Sequence, residues 1–147
     1  MKSIGGIPMY KKILVAADGS DHSIRTAERA AELAHLQGDG EITIVYVIDG
    51  EQSKSDVLSE GDQSMVEQRR QQRLKPIEEI LLEKNASYQV SIQHGEPGPT
   101  IVKYANENNF DLVVIGSRGL NTLQEMVLGS VSHKVAKRAK CPVMIVK

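Results

Sequence analysis

The chain reads as an α/β fold in which parallel strands alternate with helices. Three observations predict it. Short apolar runs recur along the chain, at Ile13–Ala17, Ile42–Ile48, Asp111–Ile115 and Cys141–Val146. Between them lie stretches whose apolar residues return every three or four positions. Turn residues punctuate the changes from one pattern to the other, so strands and helices follow one another rather than clustering.

The first strand, Ile13–Ala17, follows two lysines and ends at Asp18-Gly19-Ser20, a turn rich in helix-capping residues. Either Asp18 or Ser20 can cap the helix that follows. Ile24, Ala27, Ala31 and Ala34 mark its inner stripe, and Gly38 and Gly40 stop it. Ile42–Ile48 is β-branched and forms the second strand. Residues 49–63 are polar and rich in Ser, Asp and Gly, a surface-loop composition. Val66, Arg70, Leu74, Ile77 and Leu81 set out a long second helix. Pro76 is expected to kink it or to begin a new segment, because proline removes one hydrogen bond.

Tyr88, Val90 and Ile92 alternate with Gln89, Ser91 and Gln93, the pattern of a half-exposed edge strand. Gly95-Glu96-Pro97-Gly98-Pro99 turns the chain into a third helix carrying Ile101, Val102 and Ala105. Asp111–Ile115 is the fourth strand. A fourth helix runs from Ser130 to about Ala139 with Val131 and Val135 inward, and Cys141–Val146 is a fifth, C-terminal strand.

Bulk properties narrow the function classes. A chain of 147 residues suits a single domain with a real core. The formal charge of −1 gives no basic surplus for nucleic acid, and the absence of tryptophan leaves few stacking platforms. One cysteine, Cys141, allows neither an internal disulfide nor a cysteine metal cluster, and before Pro142 it reads as a small buried hydrophobe. No apolar run spans a bilayer and no signal-peptide core opens the chain, so a cytoplasmic setting without membrane or nucleic-acid partners is expected.

The candidate site lies where the fourth strand meets the fourth helix. Gly116-Ser117-Arg118-Gly119, nine residues, then Gly129-Ser130 gives strand, glycine loop, helix. Glycines can adopt φ > 0 at Gly119 or Gly129 and admit a bulky anion close to the backbone. The helix start adds unpaired N–H donors and the positive end of its dipole. Ser130 brings a hydroxyl to the same place, as cap, as phosphate ligand, or as both. The spacing is neither that of a P-loop nor that of a dinucleotide fingerprint. A glycine turn that merely closes the connection is the plainer reading of the loop taken alone. If the first and fourth strands flank the switch point of a doubly wound sheet, Asp18 and the glycine loop share one crevice beyond the strand ends.

Other polar residues carry simpler readings. His133 reads as a surface histidine. His22, His35 and His94 show no metal-ligand spacing. Arg69, Arg70 and Arg73 are expected on a solvated helix face.

Taken together, Ile13–Ser20, the Gly95-x-Pro97 turn, Asp111–Gly119, Gly129-Ser130-Val131-Ser132 and Cys141–Val146 resemble the universal stress protein family over nearly the whole chain. The intact G-x-x-G-x9-G-[ST] spacing is that of its nucleotide-binding class. The resemblance implies a Rossmann-like open sheet of five parallel strands in the order 3-2-1-4-5, with helices on both faces and with ATP, ADP or AMP across the strand ends. It implies a domain over residues 10–147, preceded by an N-terminal extension of residues 1–9. Asp18, next to Ala17 and Ser20, would stand by the ribose or by a phosphate-bound Mg2+. The main chain at Val47 would face the adenine. Gly116, Gly119, Gly129 and Ser130, with the adjoining Ser117, Arg118, Val131 and Ser132, would hold ribose and phosphates. It points to an ATP-binding regulatory protein of the stress response. A slow ATPase or an autophosphorylating protein, and a nucleotide-independent dimeric interaction module, remain the alternatives. The fifth strand, apolar on both faces and without gatekeeping charges, is expected to join two copies through Val143–Val146.

Overall fold

The computed structural model describes residues 9–18, 20–49, 63–117 and 128–147. Five strands form one parallel sheet: β1 (Lys12–Ala17), β2 (Glu41–Ile48), β3 (Tyr88–His94), β4 (Leu112–Gly116) and β5 (Val143–Val146). The helices are α1 (Asp21–Leu36), α2 (Gln63–Glu83), α3 (Pro97–Glu107) and α4 (Ser130–Arg138). Strand order is β3-β2-β1-β4-β5, with every neighbouring pair parallel. This is the doubly wound order that the resemblance implied.

Strand periodicity divides the core in two. Ile13, Val15 and Ala17 of β1 and Ile42, Ile44 and Tyr46 of β2 pack under α1 and α2. Leu14, Ala16, Val45, Val113 and Ile115 point the other way, beneath Ile101 and Ala105 of α3 and Val135 of α4. Because alternate strand residues face opposite sides, strands covered on both faces must be apolar throughout. That is why β1 and β4 carry no polar alternation. Alanines at 27, 30, 31 and 34 bring α1 close against the sheet.

Several expectations are corrected. α2 runs unbroken through Pro76, which lies on its exposed face while Leu74, Ile77 and Leu81 anchor it to the sheet. One lost backbone bond on the solvent side does not divide a helix held by such a stripe. β3 is the expected edge, but its apolar residues are not well covered: Val90 and Ile92 are 36% and 40% exposed. Arg70 and Arg73 are half-buried, whereas Arg69 is exposed. Arg73 Nη1 donates to Tyr46 Oη at 3.0 Å, and the Arg70 side chain is only 13% exposed. β5 starts at Val143 rather than Cys141, after Pro142 has given its carbonyl to the N–H of Val113. Cys141 is half-buried, and desolvation raises the pKa of its thiol.

Candidate functional site

The ligand-facing end of a doubly wound sheet lies at the carboxyl ends of the strands on either side of the switch point. Here those strands are β1 and β4. They pair from Ile13↔Leu112 to Val15↔Val114, two residues short of Ala17 and Gly116. The β1–α1 and β4–α4 connections therefore leave the sheet side by side. Each ends in a helix N-terminus, and α1 and α4 lie on opposite faces of the sheet.

At the β1–α1 turn the residues satisfy one another. Ser20, not Asp18, is the helix cap: its backbone is extended and its Oγ accepts the N–H of Ser23 at 3.4 Å. Asp18 stands outside the helix. Its Oδ1 accepts from the Ser20 N–H at 2.9 Å and from Ser23 Oγ at 2.7 Å. Its own N–H donates to Ser23 Oγ at 2.9 Å. Ser20 and Ser23 are buried, and Asp18 is half-buried. Ser23 went unnoticed in the sequence, although Ser20-x-x-Ser23 is the spacing at which a cap and its N3 residue meet.

The β4–α4 connection is built differently. Ser117, just past β4, donates its N–H to the Val146 carbonyl and accepts the Gly129 N–H, both at 2.8 Å. Ser132, buried in the first turn of α4, donates its hydroxyl to the Gly116 carbonyl at 2.6 Å. These bonds fix the start of α4 against the ends of β4 and β5. Gly129 is the cap residue at φ −60°, ψ 156°, and among the described residues no side chain caps α4. Two expectations change in consequence. Gly129 does not use φ > 0, and its N–H is spent on Ser117 rather than offered to a ligand. Ser130 is exposed and does not cap the helix. The first helical N–H to find a carbonyl is that of His133, on Gly129. Among the described residues, no acceptor takes up the N–H groups of Ser130, Val131 and Ser132. Three main-chain donors at the positive end of a helix dipole form a seat for an anion.

The remaining expected residues are placed as follows. Ala17 is the buried last residue of β1, paired with Tyr46. Val47 is half-buried on the α3–α4 side, just beyond the last β1–β2 pair. Arg118 and Gly119 lie outside the described residues. His133 is exposed, as expected. Among the described residues no group of three or more His, Cys, Asp or Glu side chains converges as a metal site. No helix among them is long and apolar enough to cross a membrane.

Comparison with known proteins agrees with this architecture. The model of the universal stress protein family matches residues 9–147. The universal stress protein YxiE of Bacillus subtilis is 36% identical over 95% of this chain and all of its own length. The structure of the hypothetical protein MJ0577 superposes with a TM-score of 0.76 at 30% identity, covering 95% of this chain and 96% of that one. A universal stress protein from Archaeoglobus fulgidus in complex with dAMP gives 0.70 at 27%, covering 95% and 99% of the two chains. Another universal stress protein, in complex with cAMP, gives 0.68 at 27%, covering 94% and 97%. With a family model spanning all but the first eight residues and a sheet of the same order, the chain belongs to the universal stress protein family.

Proposed function

We propose that this chain is a regulatory protein of the stress response that binds an adenine nucleotide, with ATP as the ligand its loop spacing favours. The observation that carries the reading is the row of N–H groups at Ser130, Val131 and Ser132 that no acceptor among the described residues fills, next to the paired strands β4 and β1. Backbone donors at a helix start bind phosphate without a side-chain base. Asp18 is the acidic group assigned to the ribose, or to a Mg2+ that enters with the phosphates. β1 no longer pairs with β2 beyond Tyr46, which supports the Val47 main chain as the surface for the adenine. The dAMP and cAMP complexes of the two relatives support the same class of ligand.

In the same reading the protein is cytoplasmic and pairs through β5. Val143 and Ile145 are half-buried and Met144 is 36% exposed, an apolar edge without a charge to blunt it. Isothermal titration with ATP, ADP and AMP tests the nucleotide reading. Heat of binding and a raised melting temperature are expected with at least one of them, and the absence of both with all three overturns it. Light scattering of the same samples tests pairing, and a monomer at micromolar concentration refutes it.

A further inference from the structure

Ser23 does more than complete the first turn of α1. Its side chain is buried, and its Oγ both receives the Asp18 N–H at 2.9 Å and reaches Asp18 Oδ1 at 2.7 Å. A hydroxyl has one proton to give. With a main-chain N–H already directed at the oxygen, that proton goes to the carboxylate, which can only accept. Ser20 adds its N–H to the same Oδ1 at 2.9 Å. Backbone and side chain of Asp18 are thus tied to a single neighbouring hydroxyl. The capping bond of α1 runs from the Ser23 N–H to Ser20 Oγ, which also lies 3.5 Å from Ser23 Oγ, a longer contact than the 2.7 Å one to Asp18.

We infer that Ser23 is a positioning residue of the nucleotide site, holding the Asp18 carboxylate in the orientation in which the ligand meets it. The inference rests on the nucleotide-binding reading above. A carboxylate fixed before binding loses no rotamer freedom when the ligand arrives, and that is how a residue without ligand contact raises affinity. A merely structural serine would instead change stability alone.

The test is a double-mutant cycle on AMP affinity, read by calorimetry, with melting of each ligand-free variant alongside. Ser23→Ala should weaken AMP binding roughly ten-fold, the scale of one charge-assisted hydrogen bond. In an Asp18→Ala background the same change should cost no further affinity. Ser23→Thr and Ser23→Val, nearly alike in shape, separate the hydroxyl from packing: Thr should bind AMP roughly ten-fold tighter than Val. Should the alanine variant not fold, this pair decides alone. Wild-type affinity in Ser23→Ala, an equal loss with and without Asp18, or equal affinity of the Thr and Val variants each overturns the inference. A wild-type protein that binds no AMP, ADP or ATP removes the nucleotide reading, and this one with it.

Discussion

Two helices start side by side at one end of the sheet, and they settle their first turns in opposite ways. α1 is closed by its own side chains: Ser20 caps it, and Asp18 and Ser23 lock the turn. α4 starts from a glycine with no side chain to offer, and its first three N–H groups find no acceptor among the described residues. Leaving such donors unfilled costs stability, since a side-chain cap is worth about 1 kcal/mol. The same fold with the same sheet had both solutions available. In the proposed reading the open helix start receives the anion and the closed one supplies the fixed acidic group.

Closing the open end should have the largest effect. Gly129 has an extended backbone that any L-residue adopts, so Gly129→Asp would place a carboxylate over the N–H groups of Val131 and Ser132. Nucleotide affinity should fall on the order of 100-fold, as two charge-assisted hydrogen bonds are taken by the protein itself. Stability should rise by roughly 0.5–1 kcal/mol from the cap and the dipole. Calorimetry and urea melts on one preparation read both numbers. Falling affinity without rising stability would show that the helix start was not open.

Next in size is Ser132→Ala, which removes the 2.6 Å bond to the Gly116 carbonyl and leaves that carbonyl without its buried donor. Urea unfolding should show a loss of about 1–3 kcal/mol. A neutral result would mean that water replaces the hydroxyl and that Ser132 does not tie α4 to β4. The smallest change is at the closed end. Ser20→Ala should cost about 1 kcal/mol by the same measurement. If it costs nothing, the Asp18–Ser23 pair closes α1 unaided, and the two helix starts differ in one lock rather than two.

The fold was legible because its signals are long and mutually consistent. β1 and β4 are apolar at every core position, and the α1 stripe of alanines leaves no other way to pack. Glycine and proline punctuation places the ends to within a residue or two. The site was legible at the level of chain segments and less so at the level of atoms. Which of Asp18 and Ser20 caps α1 depends on a backbone turn that composition does not encode. Gly129 invited an argument from φ > 0, yet it needs only the absence of a competing side chain. Ser23 is not singled out by the sequence because its partner, Asp18, lies outside the helix, and the bond from Ser132 to the Gly116 carbonyl is hidden because Gly116 belongs to another element. Arg73 was misjudged for the same reason: its partner, Tyr46, is on β2.

The switch point also governs how the chain must fold. β1 is the central strand, but its neighbour on one side, β4, arrives only after β2, β3 and their helices have been made. At the far end of that seam the Lys12 N–H meets Asp111 Oδ2 at 2.8 Å, across 99 residues of chain. Closing so long a loop carries its entropy cost before any contact returns it, which slows folding. During synthesis one side of Ile13–Ala17 waits unpaired, an open apolar edge of the kind that recruits other chains. The crevice at the carboxyl ends of β1 and β4 comes into being at the moment this edge is covered. A ligand that binds there therefore favours the completed sheet by mass action over every form in which β4 has yet to dock.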